Sequence, residues 1–155
     1  ILFYAKDPSS YTFNVEDIDR IPYMAPGLVG PEKALRGKLP TDTWWHTIVP
    51  PGGQESTGYV TQKPLAILKR IVTASSNVGD TVLDFFAGSG TTGLAALQLA
   101  RNFFLIDNNK DAMTAMAKLF RNNPKIHWIG FKPNFSVELS SRERNREYKA
   151  TRQRT

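Results

Sequence analysis

Two aspartates and a glycine loop carry the residue types that could do chemistry here. Asp84 closes the apolar run Thr81-Val82-Leu83 and is followed by Phe85-Phe86-Ala87-Gly88-Ser89-Gly90-Thr91-Thr92-Gly93. Asp107 closes a second apolar run, Phe103-Phe104-Leu105-Ile106, and precedes Asn108. A strand, a tight Gly-Ser-Gly turn and a helix start let a ligand approach the backbone, with free N–H groups directed at it. Asp107 lies one βα unit further on, where an acid can accept hydrogen bonds from two ribose hydroxyls. A plain tight turn and a plain strand-end turn residue are the alternatives at the two places. Their coincidence favours a cofactor that carries a nucleoside.

The loop also narrows the cofactor. It lacks the Gly-Lys-Ser/Thr ending of a nucleoside-triphosphate loop. Its pattern, Asp84-x-Phe86-x-Gly88-x-Gly90, differs from the dinucleotide fingerprint. An acid at the strand tip repels a pyrophosphate and suits a cationic amino-acid group. A ligand with an ammonium and a ribose, such as S-adenosylmethionine, fits both, with Ser89, Thr91 and Thr92 offering hydroxyls and N–H groups to its carboxylate. The chain has no cysteine, which excludes a thiol nucleophile, a thiolate metal site and a disulfide scaffold, and suits a cytoplasmic protein. His46 and His127 are far apart in sequence, so no metal-ligand spacing is present. His46, beside Trp45, reads as structural.

These residues need a scaffold, and 155 residues at 41% hydrophobic are enough for one domain. Residues 81–85 and 103–106 read as buried strands, and residues 125–129 as a third. Helices are expected over residues 64–75, 92–100 and 111–120, with Pro64 in the first turn of one and Asn109 capping another. Strand, helix, strand, helix, strand with continuous apolar strands predicts an α/β fold around a parallel sheet with right-handed crossovers. Upstream, residues 1–5 read as a strand that residues 11–15 can join as a hairpin. No run is long enough for a membrane span. The organisation expected is a strand or hairpin over 1–15, a loop-rich segment over 16–60, a βαβαβ unit over 61–130 and a basic tail over 131–155.

Asp84 to Thr92 resembles the cofactor motif of the S-adenosylmethionine-dependent DNA amino-methyltransferases, which methylate N6 of adenine or N4 of cytosine. Thr61-Gln62-Lys63-Pro64-Leu65 is similar to the family's second cofactor motif, which in the β-type order lies just before it. Arg101 to Asp107 is similar to the third, whose acid binds the ribose. Ile1 to Lys6 resembles the last strand of the catalytic half, and Trp44-Trp45 a segment preceding the Gln-Lys-Pro motif. The resemblance spans residues 1–129 and implies a partial Rossmann-like methyltransferase sheet of three parallel strands. It implies cofactor contacts at Thr61, Gln62, Lys63, Pro64, Asp84, Phe85, Phe86, Gly88, Ser89, Gly90, Thr91, Thr92, Asp107 and Asn108. Gln62, Lys63 and Pro64 would close over the methionine end.

Two departures stand out. The family usually has proline where Phe85 stands. Its catalytic motif, an Asp, Asn or Ser followed by Pro-Pro and an aromatic, is absent: Pro50-Pro51 sits between Val49 and Gly52. A base flipped for methylation needs a side-chain acceptor and a stacking ring, and this chain offers neither. In the β-type order that motif lies upstream of Ile1. The expectation is a fragment without catalytic residues, inactive alone, whose partners are DNA and the missing N-terminal catalytic half, with a second copy of the chain as a further candidate. One edge of the strand 81–85 should then be bare. The loop-rich segment occupies the target-recognition position, where Tyr11, Tyr23, Trp44, Trp45, Arg20, Lys33, Arg36 and Lys38 either contact DNA or pack on the core. Net charge is +6, with six basic and two acidic residues in positions 140–155, a tail that reads as solvated or as touching phosphates. An RNA or small-molecule methyltransferase, and a non-catalytic nucleic-acid-binding module of the same fold, are the alternatives.

Overall fold

The computed structural model describes residues 2–135; Ile1 and the basic stretch 136–155 lie outside the described residues. In chain order the elements are a 3-10 turn at Pro26–Leu28, α1 (Pro31–Arg36), α2 (Leu65–Ser75), β1 (Thr81–Asp84), α3 (Thr91–Gln98), β2 (Asn102–Leu105) and α4 (Lys110–Phe120). β1 and β2 pair in parallel, with Thr81 opposite Asn102 and Asp84 opposite Leu105. The α/β order and the two strand-end acids thus stand where the apolar runs placed them.

The helices cover one face of this sheet. Phe103 and Leu105 point into the core, where Phe103 stacks on Phe120 of α4 with ring centroids 5.4 Å apart. Ala112, Met116, Phe120 and Ala87 form the buried centre, with Leu94, Ile126 and Trp128 packed against it. α3 approaches β2 closely because Gly93 has no side chain: a Cβ there would lie 2.6 Å from Leu105 Cδ1. The other face carries Leu83, Phe104 and Ile106, each at least half exposed. Parallel sheets normally bury both faces, so this row is unusual for its apolarity. The second edge of β1 has no strand partner among the described residues.

Helix ends are tied by residues distant in sequence. The carbonyls left unpaired at the end of α2 are met by Asn14, whose backbone N–H donates to Ala74 O at 2.8 Å and whose Nδ2 donates to Ser76 O at 2.8 Å. Arg101 adds its guanidinium, donating to Ser76 O and to Leu99 O at 2.6 Å, so one cation joins the ends of α2 and α3. Asn109 caps α4 through its side chain, which accepts from Asp111 N at 2.8 Å, as its position predicts.

Three expectations differ. The third strand over residues 125–129 is not formed. Asn123 instead turns the chain, accepting from Lys125 N through Oδ1, and Ile126 and Trp128 bury themselves in the α4 core without a ladder. Among the described residues the sheet is two-stranded. Residues 2–5 form no strand either, and residues 11–15 no hairpin, because the backbone N–H of Asn14 bonds to the end of α2 rather than to residues 2–5. A ring contact, Phe3 against Tyr11 at 5.5 Å, joins the two stretches. The loop-rich segment is more ordered than its composition implies, holding the 3-10 turn, α1 and an antiparallel bridge between Ile21 and Lys38.

Candidate functional site

The glycine loop leaves β1 at Asp84 and enters α3 at Thr91, and its shape follows from a few bonds. Gly90, the N-cap of α3, is left-handed at φ 80°, a conformation that costs a residue with a Cβ and costs glycine little. Gly90 N donates to Ala87 O at 2.8 Å, closing the turn. The half-buried carboxylate of Asp84 then spans the loop: Oδ1 accepts from Phe86 N at 3.0 Å and Oδ2 from Thr92 Oγ1 at 2.6 Å. Ser89 and Thr91, both buried, share a hydroxyl–hydroxyl bond of 2.8 Å. Phe85 and Phe86 stand out from the turn, 58% and 91% exposed.

Asp107 reaches this loop from the end of β2. Its Oδ2 accepts from Gly88 N at 2.8 Å and its Oδ1 from Asn109 N at 2.9 Å. A carboxylate has about four acceptor positions, so two remain for hydroxyl donors. Asn108, next to it, is exposed. The structure therefore brings Asp84, Phe86, Gly88, Ser89, Gly90, Thr91, Thr92 and Asp107 into one constellation at the carboxyl ends of adjacent parallel strands. In open α/β sheets that end is where ligands bind.

The Thr61-to-Pro64 stretch comes near by a different route. The Gln62 amide faces its own loop: Oε1 accepts from Thr57 N and Thr57 Oγ1, each at 2.8 Å, and Nε2 donates to Glu55 O at 2.8 Å. Lys63 Nζ donates to Thr61 O at 3.1 Å. Pro64 is the N-cap of α2, and with no side chain able to cap, the Glu55 carboxylate accepts the Leu65 N–H in its place. Gln62 and Lys63 are thus engaged within residues 55–65 rather than directed at the glycine loop.

Tyr59 makes the connection that the sequence did not signal. Its ring lies over Gly88, where a Cβ would come within 3.1 Å of Tyr59 Cε1. Beside it a cleft of about 400 Å³ opens between residues 57–61 and one side of α4, lined there by Asn109, Asp111, Thr114 and Lys118. Thr61 is the expected cofactor residue that lines it. Tyr59 and Thr57 carry no motif of their own; their closeness to the Gln-Lys-Pro stretch is the only signal that could have found them.

The aromatic pair in the loop-rich segment divides. Trp44 packs on the Arg70 guanidinium, while Trp45 is 90% exposed. His46 Nε2 is buried without a hydrogen-bond partner among the described residues. Among those residues no cluster of three or more His, Cys, Asp or Glu side chains could hold a metal, and no helix is long and apolar enough to cross a membrane.

Comparison with known proteins gives matches among DNA methyltransferases. The family of N6/N4 methyltransferases described as DNA methylase matches residues 1–118. The DNA adenine methyltransferase YhdJ of Escherichia coli is 38% identical over 123 residues, covering 72% of this chain and 40% of its own. The type II methyltransferase M.HpaI of Haemophilus parainfluenzae is 38% identical over 111 residues, covering 72% of this chain and 34% of its own. A crystal structure of an M1.HpyAVI–SAM complex aligns with 74% of this chain and 45% of its own, at 32% identity and a TM-score of 0.46. The chain spans between a third and a half of the length of these proteins.

Proposed function

The chain belongs to this DNA methylase family, and from that premise we propose that it is the cofactor-binding part of an S-adenosylmethionine-dependent DNA amino-methyltransferase. The reaction assigned is methylation of an exocyclic base amine, with adenine N6 as the target, in keeping with the adenine methyltransferase among its relatives.

The observation that carries the reading is the pair of strand-end carboxylates on one glycine loop. Asp107, held by Gly88 and Asn109, keeps acceptor positions for the two ribose hydroxyls. Asp84, fixed by Phe86 N and Thr92 Oγ1, supplies negative charge for the ammonium of the methionine end. Gly88, Gly90, Ser89 and Thr91 shape the backbone there, and Phe85 and Phe86 present exposed rings to the ligand. Thr61 lines the cleft beside the loop and Asn108 adjoins Asp107, while Gln62, Lys63 and Pro64 serve indirectly, by holding residues 55–65 in place. The residues fit the cofactor, which when bound supplies an electrophilic methyl group on a sulfonium; the chain's part is to bind and orient it.

The Pro-Pro-aromatic catalytic motif is assigned to a separate half of the enzyme. The open sheet face of Leu83, Phe104 and Ile106 is the seat given to that half, since a parallel sheet is stable when both faces are covered. Calorimetric titration tests the cofactor: S-adenosylmethionine and S-adenosylhomocysteine should bind, and NAD should not. Preferential binding of NAD or ATP overturns the reading.

A further inference from the structure

Arg70, on α2, is 7% exposed, and its guanidinium is held from two directions. Asp19 accepts from Nε at 2.7 Å through Oδ1 and from a terminal nitrogen through Oδ2. Trp44 places its ring centroid 4.7 Å from the guanidinium carbon. Such a fork fixes orientation as well as distance, and the flat cation suits an aromatic face.

Asp19 and Trp44 are the two ends of an excursion of the chain. Just inside them Ile21 and Lys38 exchange both backbone hydrogen bonds, each 2.9 Å. Buried Gly37 lies against the same point, where a Cβ would come within 2.8 Å of Ile21 O. Residues 22–37 therefore leave and return through one narrow base, and a single arginine grips both sides of it.

What projects from this base is apolar and basic. Met24, Leu28 and Leu35 are 98%, 88% and 92% exposed. Lys33 and Arg36 of α1 stand exposed among them, against one acid, Glu32. Apolar side chains flanked by cations fit a polyanion whose grooves accept apolar wedges, which is duplex DNA.

We propose that Arg70 is a positioning residue for DNA: by holding Asp19 and Trp44 together it sets the direction in which residues 22–37 meet the duplex. The inference rests on the DNA methyltransferase reading above. It adds a residue on a cofactor-side helix that orients the recognition segment without touching DNA or cofactor.

The test is fluorescence anisotropy of a labelled duplex with the 155-residue chain, with and without S-adenosylhomocysteine, beside calorimetry for the cofactor. Arg70→Gln, Asp19→Asn and Trp44→Leu should each weaken duplex binding about tenfold while cofactor affinity stays within about twofold. Arg70→Lys, which keeps the charge and loses the fork, should recover only part. Exchange of the Ile21 and Lys38 amides should accelerate in the same variants. The double change Lys33→Ala with Arg36→Ala should weaken duplex binding and reduce its salt slope by about two, leaving those amides protected. Because Arg70 is buried, Asp19→Asn and Trp44→Leu decide the matter where Arg70→Gln does not fold. The proposal is overturned if those two leave duplex affinity and amide exchange unchanged, or if they lose cofactor and duplex binding together. A wild-type chain that binds cofactor and no duplex removes the DNA reading and this proposal with it. One that binds duplex and no cofactor sinks the cofactor reading alone.

Discussion

Asp107 accepts a hydrogen bond from the Gly88 amide at 2.8 Å, so the acid just beyond β2 fixes the loop that follows β1. The same carboxylate holds Asn109 N at the start of α4. One side chain therefore couples the loop after β1 to the start of α4.

Replacing Asp107 by Ala removes both bonds and the acceptors assigned to the ribose. Binding of S-adenosylmethionine should weaken at least about tenfold, or 1.4 kcal/mol, by calorimetry. Asp107→Asn, which keeps one acceptor oxygen, should fall between. Equal affinity in Asp107→Ala and wild type would falsify the ribose role.

Gly90→Ala should cost about 1–3 kcal/mol of stability. The substitution puts a Cβ on a left-handed backbone and within 2.7 Å of Met116 Cγ. Urea unfolding should show a lower midpoint at an unchanged slope, together with weaker cofactor binding. An unchanged midpoint would mean that α3 can start without a left-handed cap.

The Asp19–Arg70 pair gives a pH signature. The hydrogen bond from Arg70 holds the Asp19 carboxyl below the usual carboxylate range, with charge attraction to Arg70 and His46 acting the same way and partial burial opposing. A folded pKa below the unfolded value, about 3.9, stabilises the fold above that value. The stabilisation is lost as pH falls through the lower folded pKa. Melting temperatures of wild type and Asp19→Asn should therefore differ by a constant amount between about pH 5 and about pH 7, and converge only below the ordinary Asp range. Asp19 is half exposed, so salt should shrink the gap. A gap that grows on acidification would contradict the pairing.

Removing the α4 cap by Asn109→Ala should destabilise by about 1 kcal/mol. The side-chain bond to Asp111 N is lost, while the backbone bond from Asn109 N to Asp107 survives. Thermal melts should register the loss with cofactor affinity nearly intact. A large fall in affinity would place the Asn109 side chain among the cofactor contacts.

No methyl transfer to DNA is expected from these 155 residues by themselves, because Pro50-Pro51 lacks both the acceptor before it and the ring after it. Tritiated S-adenosylmethionine incubated with the chain and duplex DNA should leave the DNA unlabelled. Labelled DNA would show that the chain carries its own catalytic group.

Much of the site could be read directly from short-range pattern. The apolar runs ending in Asp84 and Asp107, the Gly-Ser-Gly turn between strand and helix, and the Asn109 cap depend on neighbours a few residues away. Their strand and helix forms follow from periodicity and capping, which a sequence displays openly. The same reading failed at residues 125–129, where an apolar run lacks the ladder partner that would make it a strand. Tertiary packing alone decided that Ile126 and Trp128 join the α4 core. It decided too that the Gln62 amide serves Thr57 and Glu55, that Tyr59 covers Gly88, and that Arg70 finds both Asp19 and Trp44. Each of those pairings depends on where distant backbone comes to rest, and a side chain's type and local spacing do not encode which distant partner it will meet.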